Sequence, residues 1–145
     1  MKRFLGNVSF ALGVIIFSVG IGPGFPALAL QSSLAQAKPA ELLNQGQDKL
    51  QRGDRPGAIR DFTQVIQAQP EFIEAYIGRG KAYHNLNDFQ KAIADFDRAL
   101  KIDPNHAVAL YNRGENRAHL GNFRDAIADY NLAIKITRLC ASACG

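Results

Sequence analysis

Between Ala40 and Ile136 the apolar and small residues keep a helical rhythm that stops and restarts several times. Leu110, Gly114, Arg117 and Leu120 follow one another at steps of three and four, and past Gly121-Asn122 the residues Phe123, Ile127, Tyr130 and Ile134 do the same. Such spacing places side chains on one face of an α-helix. The rhythm also repeats as a block. Shifting the chain by 34 residues aligns it with itself without a gap: Gly46 falls on Gly80 and Gly114, Ala58 on Ala92 and Ala126, and Ile59 on Ile93 and Ile127. Asp61, Asp95 and Asp129 share a column, as do Phe62, Phe96 and Tyr130, and Ile66, Leu100 and Ile134. A block of this length predicts one helix–turn–helix unit per copy. A single unit cannot bury its own apolar face, so the copies must stack. The fold class expected is all-α, with six helices in three units.

The breaks carry their own chemistry. Gly53-Asp54, Asn87-Asp88 and Gly121-Asn122 each put a residue tolerant of left-handed geometry after the first helix of a copy, called helix A here. Each then supplies a side-chain cap for the second, helix B. Pro70 and Pro104 stand where helix B must stop, because proline disfavours helical geometry in the residue before it. Helix A is expected to restart near Phe72 and His106.

These residues resemble the tetratricopeptide repeat, a 34-residue unit with large apolar residues at positions 4, 7 and 11, small ones at 8, 20 and 27, an aromatic at 24 and proline at 32. The second copy supplies Tyr76, Gly80, Tyr83, Ala92, Phe96, Ala99 and Pro104; the third supplies Leu110, Gly114, Ala126, Tyr130 and Ala133; the first supplies Leu42, Gly46, Ala58, Phe62 and Pro70. Three departures stand out. Position 7 holds Arg79 and Arg113, with Gln45 in the first copy. Position 11 holds Lys49 and Arg117 in the outer copies. Arg138 replaces the last proline. The resemblance implies a right-handed superhelix over residues 40–137, with copies at about 39–72, 73–106 and 107–138. Gly80 and Ala92 would then let helices A and B of one copy approach closely, and Ala99 would let helix B meet the next helix A.

The resemblance further implies that the A helices line a concave surface. The peptide-binding candidates on it are Leu43, Gln47, Ile77, Lys81, His84, Tyr111, Asn112, Glu115 and His119, with Gln51, Glu74, Asn85 and Val108 beside them. The mixture of apolar, amide and charged groups suits an extended peptide or a partner helix. Some co-chaperones of this family grip a C-terminal carboxylate with basic residues and asparagines. Those positions fall here on Leu43, Gln47, Gly78, Val108 and Asn112, and none matches, so no carboxylate clamp is expected.

An inward-facing arginine needs a partner, since a buried unpaired charge is costly. The recurring aspartates suggest ladders from one copy to the next, Asp61 to Arg79 and Asp95 to Arg113. A rival arrangement stays within each copy, Arg79 with Asp95 and Arg113 with Asp129. His84, His106 and His119 do not form a metal set: His84 and His119 come within reach across adjacent helices, but no third ligand is evident, and a structural zinc site wants four. No phosphate loop, nucleophile elbow or other cofactor motif is present. The expectation is a binding scaffold, with no catalytic residue and no cofactor.

The N-terminus changes where that scaffold is expected to work. Lys2 and Arg3 precede an apolar stretch from Phe10 to Ile21, and Ala27-Leu28-Ala29 follows the glycine–proline run at 22–26. Basic start, apolar core and A-x-A site are the parts of a secretory signal peptide. Residues 1–29 are therefore read as a removable helix-forming signal, to 37 if the later Ala35-Gln36-Ala37 is cut, with 30–39 as a linker. The destination would be the periplasm, or the thylakoid lumen in a cyanobacterium. The alternative is a retained anchor, facing outside the cytoplasm, with membrane contact through that segment. Setting aside Lys2 and Arg3 lowers the net charge from +4 to +2, and the charges alternate in sign, which argues against nucleic acid. Residues 139–145 read as a C-terminal tail. In it Cys140 and Cys144 could pair with each other or with another chain, but C-x-x-x-C is not the redox spacing. With no capping helix after the third copy, the end should leave Phe123 and Ile134 partly uncovered. The partner expected is another protein or peptide; self-association through that end is the alternative.

Overall fold

The computed structural model describes the backbone of residues 27–143 and the side chains of residues 38–142. It contains α1 (Ala27–Gln51), α2 (Arg55–Ala68), α3 (Ile73–His84), α4 (Phe89–Ile102), α5 (Ala107–His119) and α6 (Phe123–Ala143), with no strand among the described residues. Each copy is one antiparallel pair: α1 with α2, α3 with α4, α5 with α6. Residues 1–26, with most of the signal-like segment, lie outside the described residues. Among those described, no helix is long and apolar enough to cross a membrane.

The turns take the left-handed geometry expected of them, but the expected side-chain caps form only in part. Gly53, Asn87 and Gly121 have φ of 84°, 60° and 79°, the left-handed geometry that ends helix A in each copy. The Asp54 carboxylate accepts a hydrogen bond from the Gly57 amide at 2.9 Å and caps α2. Asp88 makes no such cap on α4; its carboxylate is taken by Lys91 at 2.6 Å. α3 and α5 begin directly after Phe72 and His106, and the His106 imidazole caps α5 by accepting from the Ala109 amide.

Glycine sets the distance between helices. A methyl group on Gly80 would sit 2.8 Å from the Phe96 ring, and one on Gly46 would sit 2.8 Å from Phe62. The aromatic at position 24 therefore packs directly against the backbone of its own helix A. Its opposite side meets the next copy: Gly78 of α3 lies so close to Phe62 that a Cβ there would be 2.5 Å from the ring. Phe62 and Phe96 are wholly buried in this way. Tyr130 occupies the same column in the last copy, where no further helix covers it. Its hydroxyl suits that half-buried place.

Two boundaries differ from the expectation. The segment 30–39 is part of α1, with Pro39 inside the helix and buried. At the other end, helix B of the third copy does not stop near Thr137. Arg138 stands where Pro70 and Pro104 break the earlier helices, so the backbone amide remains and α6 runs on to Ala143. Most of the expected tail is helix. Cys140 is exposed on it, and Cys144 lies outside the described residues.

Candidate functional site

The odd-numbered helices form the inner layer. α1 meets α3 and α3 meets α5, whereas α2, α4 and α6 contact only their neighbours in sequence. A stack whose A helices touch and whose B helices splay apart curves toward the A side. The concave face is thus built from α1, α3 and α5.

The candidates on that face divide into three groups. Gln47, Ile77 and Lys81, with Gln51, Glu74 and Gly78, line a groove of about 300 Å³ between α1 and α3. His84, Glu115 and His119 gather where the end of α3 meets α5. Tyr111 belongs to a larger hollow of about 750 Å³ at the C-terminal end, with Val108, Tyr130, Ile134 and Arg138. Its ring lies 5.4 Å from that of Tyr130. The Tyr130 phenol is pushed above its ordinary pKa, first by burial and then by the nearby Glu115 carboxylate.

Two candidates play other parts. Leu43 packs against the core cluster of Ala58, Phe62 and Ala82 and does not line the groove. The Asn112 side chain donates to the Val108 carbonyl at 2.6 Å, so that hydrogen-bonding group is occupied within its own helix.

The arginines overturn the ladder expected between copies and take the rival arrangement. Arg79 binds Asp95 through two hydrogen bonds, 2.8 Å from Nε and 2.7 Å from Nη2. Arg113 does the same to Asp129, at 3.0 and 2.6 Å. Each pairs helix A to helix B of one copy, so neither Asp61–Arg79 nor Asp95–Arg113 is formed. The third arm of each guanidinium still reaches the preceding copy, by way of a column that periodicity did not single out. Arg79 donates to the Thr63 hydroxyl at 3.0 Å, and Arg113 to the Asp97 carboxylate at 2.7 Å. Position 11 completes the scheme: Lys49 serves Asp61 at 2.6 Å, and Arg117 adds a second cation to Asp129 at 2.8 Å. The partner carboxylates raise both guanidinium pKa values, Asp95 for Arg79 and Asp129 for Arg113, each mainly through its hydrogen bonds.

Sequence reasoning also missed two residues at the histidine pair. Glu115 supplies the third metal-capable side chain that had no evident candidate. Asn116 is wholly buried, its amide nitrogen donating to the Asn112 carbonyl at 2.7 Å and its oxygen 3.1 Å from His84 Nδ1. The sequence carries little signal for it, since the same place holds Ala82 in the second copy but the charged Asp48 in the first.

Family models described as tetratricopeptide repeat match residues 73–106 and 107–138. No curated protein sequence matches the chain. Among solved structures, the second TPR of Spaghetti (RPAP3) bound to the HSP90 peptide SRMEEVD is 21% identical. The alignment covers 73% of this chain and 98% of that one, with a TM-score of 0.69. The TPR2B-domain:pHsp70 complex of yeast Sti1 is 26% identical over 69% of this chain and 80% of that one, with a TM-score of 0.67. MamA is 18% identical over 72% of this chain and 61% of that one, with a TM-score of 0.70.

Proposed function

The chain belongs to the tetratricopeptide repeat family, and from that premise we propose that it is an exported scaffold that holds a protein or peptide partner on its concave face. One observation carries the reading: the groove between α1 and α3 combines apolar Ile77 with the amides Gln47 and Gln51 and the opposed charges Glu74 and Lys81. Amides bond an extended backbone, the apolar floor takes a side chain, and the charges select against wrong partners. The peptide-bound neighbours use the same fold for the same purpose. Their acidic peptide does not transfer to this chain, because the clamp positions hold Leu43, Gln47, Gly78, Val108 and Asn112.

Two measurements test this. Calorimetric titration with SRMEEVD is expected to give no tight binding, and tight binding would restore the clamp. Affinity capture from envelope extracts is expected to recover a stoichiometric heterologous partner, lost on Glu74→Lys and Lys81→Glu, two groove residues outside the buried core. Export rests on the basic start, the apolar stretch and the A-x-A sites. N-terminal sequencing of the native protein from the periplasm or lumen should read from Leu30 or Lys38. An intact Met1 would support the retained anchor.

A second reading has its own observation. Val108, Tyr111 and Ile134 are 48%, 55% and 54% exposed around the C-terminal hollow, a cluster of large apolar side chains open to solvent. Copies of this chain would associate there into a structural oligomer.

A further inference from the structure

His84, Glu115 and His119 each offer one ligand atom, and these atoms all lie within 4.8 Å of one another. We propose that they form a binding site for one divalent transition-metal ion of the zinc class. Glu115 and His119 are four residues apart on α5, so both project from one face, and His84 reaches them from the end of α3. Two imidazole nitrogens and one carboxylate oxygen are a donor set that suits zinc, cobalt or nickel; calcium and magnesium prefer oxygen alone. Donors around a tetrahedral zinc stand about 3.4 Å apart, given bonds of about 2.0–2.1 Å. All three side chains reach solvent, so closing on an ion would need rotation about their χ angles and no movement of the backbone core.

The surroundings prepare the donors. Asn116 can orient only one way. Its amide nitrogen is committed to the Asn112 carbonyl, so its oxygen must face His84 Nδ1. An amide oxygen only accepts, so Nδ1 carries the proton and Nε2 keeps a free lone pair. Fixing the tautomer through the second ring nitrogen is how metal-binding histidines are held. Burying an asparagine where the second copy buries Ala82 costs desolvation, and the bond to His84 is what it secures. His119 is steadied by Phe89, its ring stacked in parallel at 4.5 Å. His106 is excluded from the set because its Nδ1 caps α5. Three protein donors leave one coordination position, for water or for a donor of a bound partner. The site does not rest on the peptide reading.

The test uses the full chain with Cys140→Ser and Cys144→Ser, so that no thiol competes. Zinc titrated by calorimetry and cobalt by visible absorption should each bind one ion per chain. His84→Ala, Glu115→Gln and His119→Ala should each weaken binding at least about tenfold with unchanged helical circular dichroism. Asn116→Ala, which touches no metal, should weaken it by about 10–100-fold. His106→Ala should leave it unchanged. Failure of the thiol-free chain to bind a single ion would overturn the site, as would binding that survives His84→Ala with His119→Ala.

Discussion

Three buried aspartates show how single residues set the stability of the stack. Asp61, Asp95 and Asp129 are each no more than 5% exposed and each needs a cation. Asp95 has Arg79 alone, whereas Asp129 has Arg113 and Arg117. Arg79→Ala therefore leaves a buried charge unpaired and should cost about 3 kcal/mol, the lower end of the range for breaking a buried pair. Arg113→Ala should cost clearly less, since Arg117 remains. Urea unfolding with an unchanged m-value checks the order, and equal losses would refute it. The sign with pH follows from the raised guanidinium pKa values: the contribution is intact below the unfolded arginine's pKa and is lost only as pH rises past the folded one, outside ordinary alkaline conditions. The sequence showed which residues recur but not which pair, because moving every rung by one copy leaves the 34-residue period unchanged. A second residue-scale prediction concerns packing. Gly80→Ala places a methyl 2.8 Å from Phe96 and should destabilise by roughly 1–3 kcal/mol.

Among the helices, α6 departs most from its siblings. It has 21 residues where α2 and α4 have 14, and the difference traces to Arg138. Arg138→Pro should restore the break, shorten α6 by about one and a half turns and lower the helical ellipticity, with amide protection lost beyond Thr137. Unchanged ellipticity would show that another contact holds the extension. The helix count, the pairing and the left-handed turns were legible because glycine, asparagine and proline punctuate locally. The uncovered face of α6 was legible too, expected at Phe123 and Ile134. Phe123, Ile127 and Ile134 keep a helical period yet are 65%, 58% and 54% exposed, while Ala126, Asp129 and Ala133 go inside. Leu100, in the column of Ile134, is buried. A column is apolar for the sake of the next copy, and among the described residues no further copy packs on α6. The His84–Glu115–His119 cluster was half legible: the stacking of copies brings His84 within reach of His119, but Glu115 was read only as a peptide contact and not as the third donor.

Among the described residues the copies contact only their neighbours, so stability accumulates along the stack. If the exposed C-terminal hollow drives association, light scattering after size exclusion should show mass rising with concentration, and Tyr111→Glu with Ile134→Glu should abolish the rise. A monomer at every concentration would rule that out and leave the end free. The splay of the outer helices has a mechanical consequence. α2, α4 and α6 stand apart while α1, α3 and α5 touch, so tightening or relaxing the coil changes spacing mainly on the outer side. The guanidinium arms to Thr63 and Asp97 cross from one two-helix unit to the preceding one. They add one polar tie each to the helix packing that already joins α2 to α3 and α4 to α5.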